Sequence, residues 1–176
     1  SMRNLDVSEA GPEDLCGVGT AAVIHKTWKL PDGSIRMLVE GLARIAIREV
    51  VQTQPYLRAA VEPLEDRCEE SVEVDALASN ATHQIQRMAS LVSYLPEELR
   101  VLVVNIDDPA RLADFIAFHL NLRLTEKQAL LEDIDVCRRL ERLTVFLSRE
   151  LQILELGKKI QDQVQSVMGK SQREHY

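Results

Sequence analysis

The feature that most constrains the fold is a proline-free stretch running from Asp135 to at least Lys170. Proline inside a helix lowers the stability of that helix by about 3 kcal/mol, so a stretch without proline can form one long helix. Apolar residues recur there in steps of three and four, the pattern of a helix stripe, with a change of phase near Gly157. They are Val136, Leu140, Leu143, Leu147, Leu151 and Leu154, followed by Leu156, Ile160, Val164 and Val167. At about 1.5 Å per residue, such a helix would be roughly 55–60 Å long.

That length exceeds what a domain of this size needs. We expect the first half of the helix to pack on the preceding helices and the second half to need a partner, in the same chain or another. The sequence therefore predicts a seam for a partner helix or an oligomer, composed of Leu147, Leu151, Leu154, Ile160, Val164 and Val167.

Shorter helices are predicted upstream, from about Val72 onward, where apolar residues fall at helical spacing. Asp108 followed by Pro109 is a good start for one helix, because aspartate caps a first turn and proline fits its first position. Phe115 and Phe118 on that helix are predicted to be core residues. A further helix, "TEKQALLE", is predicted to be capped by Thr125.

The N-terminal part of the chain has the pattern of strands. "VGTAAVIHKTWKL" and "SIRMLVEGLARIAI" flank the turn "PDG", which predicts a hairpin, and "PYLRAAVEPL" predicts a third strand. Gly41 indicates a bulge or bend. An acidic connector follows, so we predict an α+β chain with a β domain at 1–68, a helical domain at 69–134 and the long helix at 135–176.

Charge argues against several classes of partner. The formal net charge is −7, and residues 1–75 carry 14 acidic and 8 basic side chains, so a nucleic acid or an anionic membrane is not the expected partner. No apolar run approaches the ~18 residues of a membrane span. We therefore expect a cytoplasmic protein, or one of the mitochondrial matrix in a eukaryote.

Candidate catalytic and metal-binding residues are sparse. Cys16, Cys68 and Cys137 lie too far apart in sequence to form the short-spaced ligand pairs of a zinc site, so we predict inert thiols and no metal. Gly169-Lys170-Ser171 matches the end of a phosphate-binding loop, but that loop follows a strand, and here the preceding sequence is helical. The sequence predicts no catalytic residue and no cofactor in these residues.

Four separated blocks resemble one known family. "VGTAAVIHKTWKLPDGSIRMLVEGLARIAI", "DDPARLADFIAFHLNLRLTEKQALLE", "DVCRRLERLTVFLSRELQILELGKKIQDQV" and "KSQREHY" follow one another in the order found in the N-terminal region of Lon ATP-dependent proteases. The resemblance covers about residues 17–176. It implies a β domain like those associated with pseudouridine synthases (PUA-like), then a helical bundle ending in a long coiled-coil-like helix.

The resemblance also implies what the longer family members do. They are ATP-dependent serine endopeptidases with a Ser-Lys dyad, they use ATP and Mg²⁺, and they work as a ring, a hexamer by resemblance. None of those catalytic residues can be placed on this sequence. The family's β domain has further strands before the "VGT" block, so we expect a truncated β domain whose unpaired edges pair with another chain or order poorly within residues 1–64.

Two functions follow as hypotheses. The first is a non-catalytic N-terminal fragment that recognises unfolded or damaged proteins and supports oligomer assembly, with Trp28, Met37 and Met88 as candidate contacts for exposed apolar segments. The competing interpretation of these three residues is that each belongs to the core. The alternative is a coiled-coil scaffold or dimerisation module without a substrate-binding role. RNA binding, suggested by the PUA-like fold, is disfavoured by the acidic N-terminal half.

Overall fold

The computed structural model describes residues 2, 3, 6 and 9–173, the last five of these by their backbone alone. It divides the chain into two compact units. A sheet unit comprises Ser1–Asp66 with Arg123–Ile134, and a helical unit comprises Arg67–Leu122 with Asp135–Tyr176.

The sheet unit is built on three antiparallel strands in the order β1-β2-β3, with bounds Val18–Lys29, Ile35–Gln52 and Arg58–Pro63. The predicted hairpin is present: Gly33 takes a positive φ of 83°, which glycine adopts without strain. Ser34 closes the turn, since its backbone amide and hydroxyl donate to Asp32 Oδ1 at 2.9 and 2.6 Å. The local sequence thus determines where β1 ends and β2 begins.

The predicted bulge lies beside Gly41. Ala21 pairs with Ala43 and Ala22 pairs with Gly41, so Leu42 is the extra residue on β2. A Cβ atom at Gly41 would lie 3.2 Å from the Thr20 methyl carbon, a tight approach. Beyond this bulge β2 is less exposed than in the hairpin, and Arg44 there is only 8% exposed and forms an ion pair with Asp66.

A short helix, α4 in chain order, spans Leu124–Glu132 and belongs to the sheet unit. Sequence analysis assigned these residues to the helical domain at 69–134. The structure groups them with the sheet, where Gln128 Nε2 donates to the Val18 carbonyl at 3.0 Å. The helix is capped at Arg123 rather than Thr125, because the Glu126 carboxylate accepts from the Arg123 amide at 2.9 Å.

The helical unit contains α1 (Val72–Ala89), α2 (Leu99–Leu102), α3 (Pro109–His119) and α5 (Val136–Arg173). The predicted start of α3 is confirmed, since Asp108 Oδ1 accepts from the Ala110 amide at 3.0 Å and Pro109 occupies the first position. The prediction that Phe118 is a core residue is wrong: it is 78% exposed, while Phe115 is half-buried. The helical periodicity did not distinguish these two positions.

The first half of α5 forms the core of the helical unit together with α1 and α3. Val136, Leu140, Leu143 and Leu147 have no exposed surface. Arg139, 1% exposed, lies with its Nη1 3.3 Å from Asp114 Oδ1 on α3. The backbone of Gly169-Lys170-Ser171 lies within α5, in a helix and not in a loop.

Among the described residues, no helix is both long enough and apolar enough to pass through a bilayer.

Candidate functional site

The most exposed apolar surface of the sheet unit lies on the distal hairpin, which we define as residues 22–43 of β1, β2 and their turn. Every residue in it except Leu30 is exposed. Its large apolar side chains keep between 41% and 63% of their surface in solvent: Val23, Ile24, Trp28, Ile35, Met37, Leu38, Val39 and Leu42. Folded proteins rarely leave large apolar patches uncovered, and such patches mark interaction surfaces.

The strand register divides these side chains between two faces. Ile24 lies directly opposite Val39, and residues opposite each other share a face. Because side chains alternate along a strand, Ile35 and Met37 lie on the same side as Val39. Thr27 and Lys29, which pair with Met37 and Ile35, share this side. We call its apolar set, Ile24, Ile35, Met37 and Val39, the apolar face.

The opposite side of the hairpin is mixed in character. Trp28 pairs with Arg36 and Lys26 pairs with Leu38, which places these four residues together. The Lys26 ammonium lies 5.2 Å from the centre of the Trp28 ring, within cation–π range. We call this the charged face.

The three predicted substrate contacts do not come together. Met37 belongs to the apolar face and Trp28 to the charged face of the same hairpin. Met88 lies in the helical unit with no exposed surface, so it is a core residue and offers nothing to a substrate. Ile24, Ile35 and Val39 were missed because candidates were chosen by residue type. The alternation Ile35-x-Met37-x-Val39 was the signal that could have found them.

The hairpin also presents open strand edges. β3 pairs with β2 only from Ile45 onward, and the Leu64 amide donates to the Arg44 carbonyl at 2.9 Å. Among the described residues no strand pairs with the outer side of β2 between Ile35 and Ala43. β1 lies at the other edge of the sheet. Along this part of β2 the outward backbone groups are available for pairing with an extended chain.

The predicted helix seam divides into two parts. Leu147 and Leu151 are 0% and 8% exposed and lie in the core of the helical unit, and Leu154 is half-buried. Ile160, Val164 and Val167 are 52%, 52% and 67% exposed. Together with the exposed Ile153 they repeat at seven-residue intervals, Ile153, Ile160 and Val167, with Val164 between them. We call these four residues the distal stripe.

An open cleft lies in each unit. The cleft of the sheet unit has a volume of about 290 Å³ and is lined by Cys16, Gln128 and Glu132 among others. The cleft of the helical unit, about 480 Å³, is lined by polar groups such as His83, Gln86 and Asp107. The larger falls within the usual range for small ligands, but its lining lacks the predominantly apolar character of such pockets.

Comparison with known proteins identifies the family. Residues 2–149 match the family described as the ATP-dependent protease La (LON) substrate-binding domain. The chain is 43% identical over 175 residues to the Lon protease of Dictyoglomus thermophilum and 38% identical over 176 residues to Lon protease 2 of Thermus thermophilus. The two matches include 99% and 100% of this chain, but the chain spans only 22% of the length of each relative.

Solved structures give the same result. The N-terminal domain of Mycobacterium avium complex Lon protease matches with a TM-score of 0.63 and 25% identity, covering 75% of this chain and 70% of that one. A Lon N-terminal domain protein from Xanthomonas campestris shares the fold, with a TM-score of 0.50 and 21% identity over 77% of this chain and 71% of that one. The chain therefore belongs to the Lon protease family and carries its N-terminal substrate-binding domain.

Proposed function

We propose that this domain binds unfolded polypeptide segments through the apolar face of the distal hairpin. The observation that carries the proposal is the grouping of four apolar side chains, each 53% to 59% exposed, on one side of a hydrogen-bonded hairpin. A native protein keeps such side chains in its core, so an exposed set of them suits partners whose own apolar residues are exposed.

The neighbouring strand edge complements this face. An extended polypeptide can pair its backbone with the outer side of β2 while its alternate side chains contact the apolar face. Backbone pairing is independent of sequence, and Met37 is a flexible side chain that adapts to different partners. Both properties favour recognition of many unfolded sequences rather than one.

The expected affinity is weak. Full burial of a side chain of this type contributes about 1.5–3 kcal/mol, so covering the exposed half contributes about 1 kcal/mol each and about 4 kcal/mol for four. Association costs offset much of this gain. A single domain should therefore bind with a dissociation constant of roughly a millimolar or weaker, which suits a protein that must release its substrates.

The test compares the two faces of the hairpin. Binding of a labelled, permanently unfolded protein such as denatured casein would be followed by fluorescence anisotropy for the wild type and for the triple variant Ile24→Ser, Met37→Ser, Val39→Ser. Losing about 3 kcal/mol should weaken binding by about 100-fold. The matched control is Trp28→Ser with Leu38→Ser on the charged face, and it should retain most of the affinity. Equal losses in both variants would exclude the apolar face as the binding surface.

We also propose self-association through the distal stripe, because Ile153, Ile160 and Val167 repeat every seven residues and remain exposed. A seven-residue apolar repeat is the spacing that lets helices pack side by side. Light scattering at rising concentration should show dimers or larger species. Ile160→Asp with Val164→Asp should give monomers, whereas Gln161→Asp with Gln165→Asp, off the stripe, should not. A wild type that stays monomeric throughout contradicts this second proposal.

We propose further that the domain works within a longer ATP-dependent protease. Its support is that the curated relatives are Lon proteases of which this chain matches 22%. In that setting the protein would assemble as a ring in the cytoplasm, and ATP, Mg²⁺ and the Ser-Lys dyad would act outside these 176 residues. The domain would then concentrate substrates near the ring.

A further inference from the structure

A cluster of metal-ligating side chains lies in the helical unit and includes no residue of the distal hairpin or the distal stripe. It consists of Glu73 on α1 with Cys137 and Glu141 on α5, and their ligand atoms all lie within 4.8 Å of one another. Sequence analysis predicted no metal site because the cysteines are far apart in sequence. The packing of α1 against α5 brings residues 64 positions apart to the same place.

The surrounding backbone holds these residues in position. The Val136 amide donates to the Arg67 carbonyl at 2.9 Å, which fixes the start of α5 against the segment that precedes α1. Ser71 caps α1, with its hydroxyl 3.2 Å from the Val74 amide. Glu73 and Cys137 are each the second residue of their helix, so both are set by anchored first turns.

Burial and the nearby carboxylates of Glu73, Glu141 and Asp135, with a smaller contribution from Cys68, raise the pKa of the Cys137 thiol. The distances within the cluster likewise place this thiol beside the Glu73 and Glu141 carboxylates.

The structure assigns to Glu73, Cys137 and Glu141 a binding site for a thiophilic divalent cation of the zinc class. A thiolate ligand favours zinc, cobalt or cadmium over magnesium and calcium, which prefer oxygen alone. Zinc bonds of about 2.0–2.3 Å place tetrahedral ligands roughly 3.5 Å apart, so side-chain rotations that close about 1 Å would bring the three ligand atoms to these distances and leave the fourth position to solvent. Both glutamates are exposed and free to make that adjustment.

Binding exchanges one proton for one metal ion at the thiol. The Cys137 Sγ–H bond breaks, its electron pair forms the sulfur–metal bond, and the proton passes to solvent. The oxidation state of the sulfur does not change. The ion would bridge α1 to α5 and raise the stability of the helical unit.

Cobalt(II) is the probe, because sulfur-to-cobalt charge transfer gives an ultraviolet band only when a thiolate is coordinated. The 176-residue chain, reduced and stripped of metal with EDTA, would be titrated with cobalt(II) and then with competing zinc(II). The expected result is a charge-transfer band that zinc removes, together with a higher unfolding temperature in the presence of zinc.

Variants decide whether the band arises from this cluster. Cys137→Ser should abolish it, and Glu73→Gln or Glu141→Gln should each weaken cobalt binding by at least about tenfold. Cys16→Ser and Glu70→Gln are matched controls outside the cluster and should bind as the wild type does. If Cys137→Ser loses its helical circular dichroism, it is not folded, and the double variant Glu73→Gln with Glu141→Gln is measured instead. This double variant should also lack the cobalt band. A wild type without a band, a band that survives Cys137→Ser in folded protein, or glutamate variants that bind normally would overturn the assignment.

Discussion

Leu147 and Leu156 provide a test of how α5 is divided between core and surface. Both are leucines on one helix, yet Leu147 has no exposed surface and Leu156 is 59% exposed. Replacing each with alanine removes the same atoms and keeps a strong helix former. Any difference in stability therefore reports burial alone.

The magnitudes follow from these environments. A buried leucine changed to alanine lowers the free energy of unfolding by about 2–5 kcal/mol, through lost burial and the cavity that remains. An exposed substitution changes it by about 0.5 kcal/mol or less. With a urea dependence of about 1–3 kcal/mol per molar, Leu147→Ala should lower the urea midpoint by roughly 1–2 M.

Circular dichroism of the helical signal during urea unfolding measures both variants under the same conditions. The protein should be dilute enough to remain monomeric, so that association through the distal stripe does not contribute. A loss below about 1 kcal/mol for Leu147→Ala would place Leu147 outside a packed core. Equal losses for both variants would contradict the division of α5 into a buried first half and an exposed second half.

Three further predictions concern local structure. Ser71→Ala removes the hydroxyl that accepts from the Val74 amide, and urea unfolding should show a loss of about 1 kcal/mol, whereas an unchanged midpoint would show that the cap contributes nothing. Gly157→Ala adds a methyl group to open space in α5 and should increase helicity and stability by about 0.5–1 kcal/mol, so a decrease would indicate an unrecognised contact. The Ser34 hydroxyl and amide hold the pKa of Asp32 below its ordinary value, and Ser34→Ala should raise it in an NMR titration; an unchanged pKa would refute the role of the hydroxyl.

Local chemistry allowed much of the fold to be predicted from the sequence. The turn at Gly33, the cap at Asp108 and the proline-free run of α5 each depend on neighbouring residues, and the structure has all three. These features need no knowledge of what packs against them. The family was also recognisable, since its residue blocks are long and occur in order.

Features that depend on distant residues were harder to predict. The grouping of α4 with the sheet rests on contacts such as that between Gln128 and Val18, which are 110 positions apart. Periodicity did not show that Met88 is fully buried or that Phe118 is exposed, because it indicates a helix face without identifying what covers it. The approach of Glu73 to Cys137 likewise requires the packing of α1 on α5.

The assignment of residues to the two faces of the distal hairpin was also not predictable from the sequence. Trp28 and Met37 were chosen together as adaptable apolar residues, but the pairing of Thr27 with Met37 and of Trp28 with Arg36 puts them on opposite faces. A shift of one residue in register would exchange the faces. Only the observed register, with its irregularity between Ile24 and Lys26, separates the apolar face from the charged face.

The most direct test of the central claim is an NMR titration of the 176-residue chain with an unfolded, apolar peptide. Methyl groups of Ile24, Met37 and Val39 would be followed together with backbone amides along the outer edge of β2. We predict that these signals shift progressively as peptide is added, while those of the buried Leu140 and Leu143 do not. Shifts confined to the helical unit, or to the charged face around Trp28, would contradict binding of unfolded polypeptide by the apolar face.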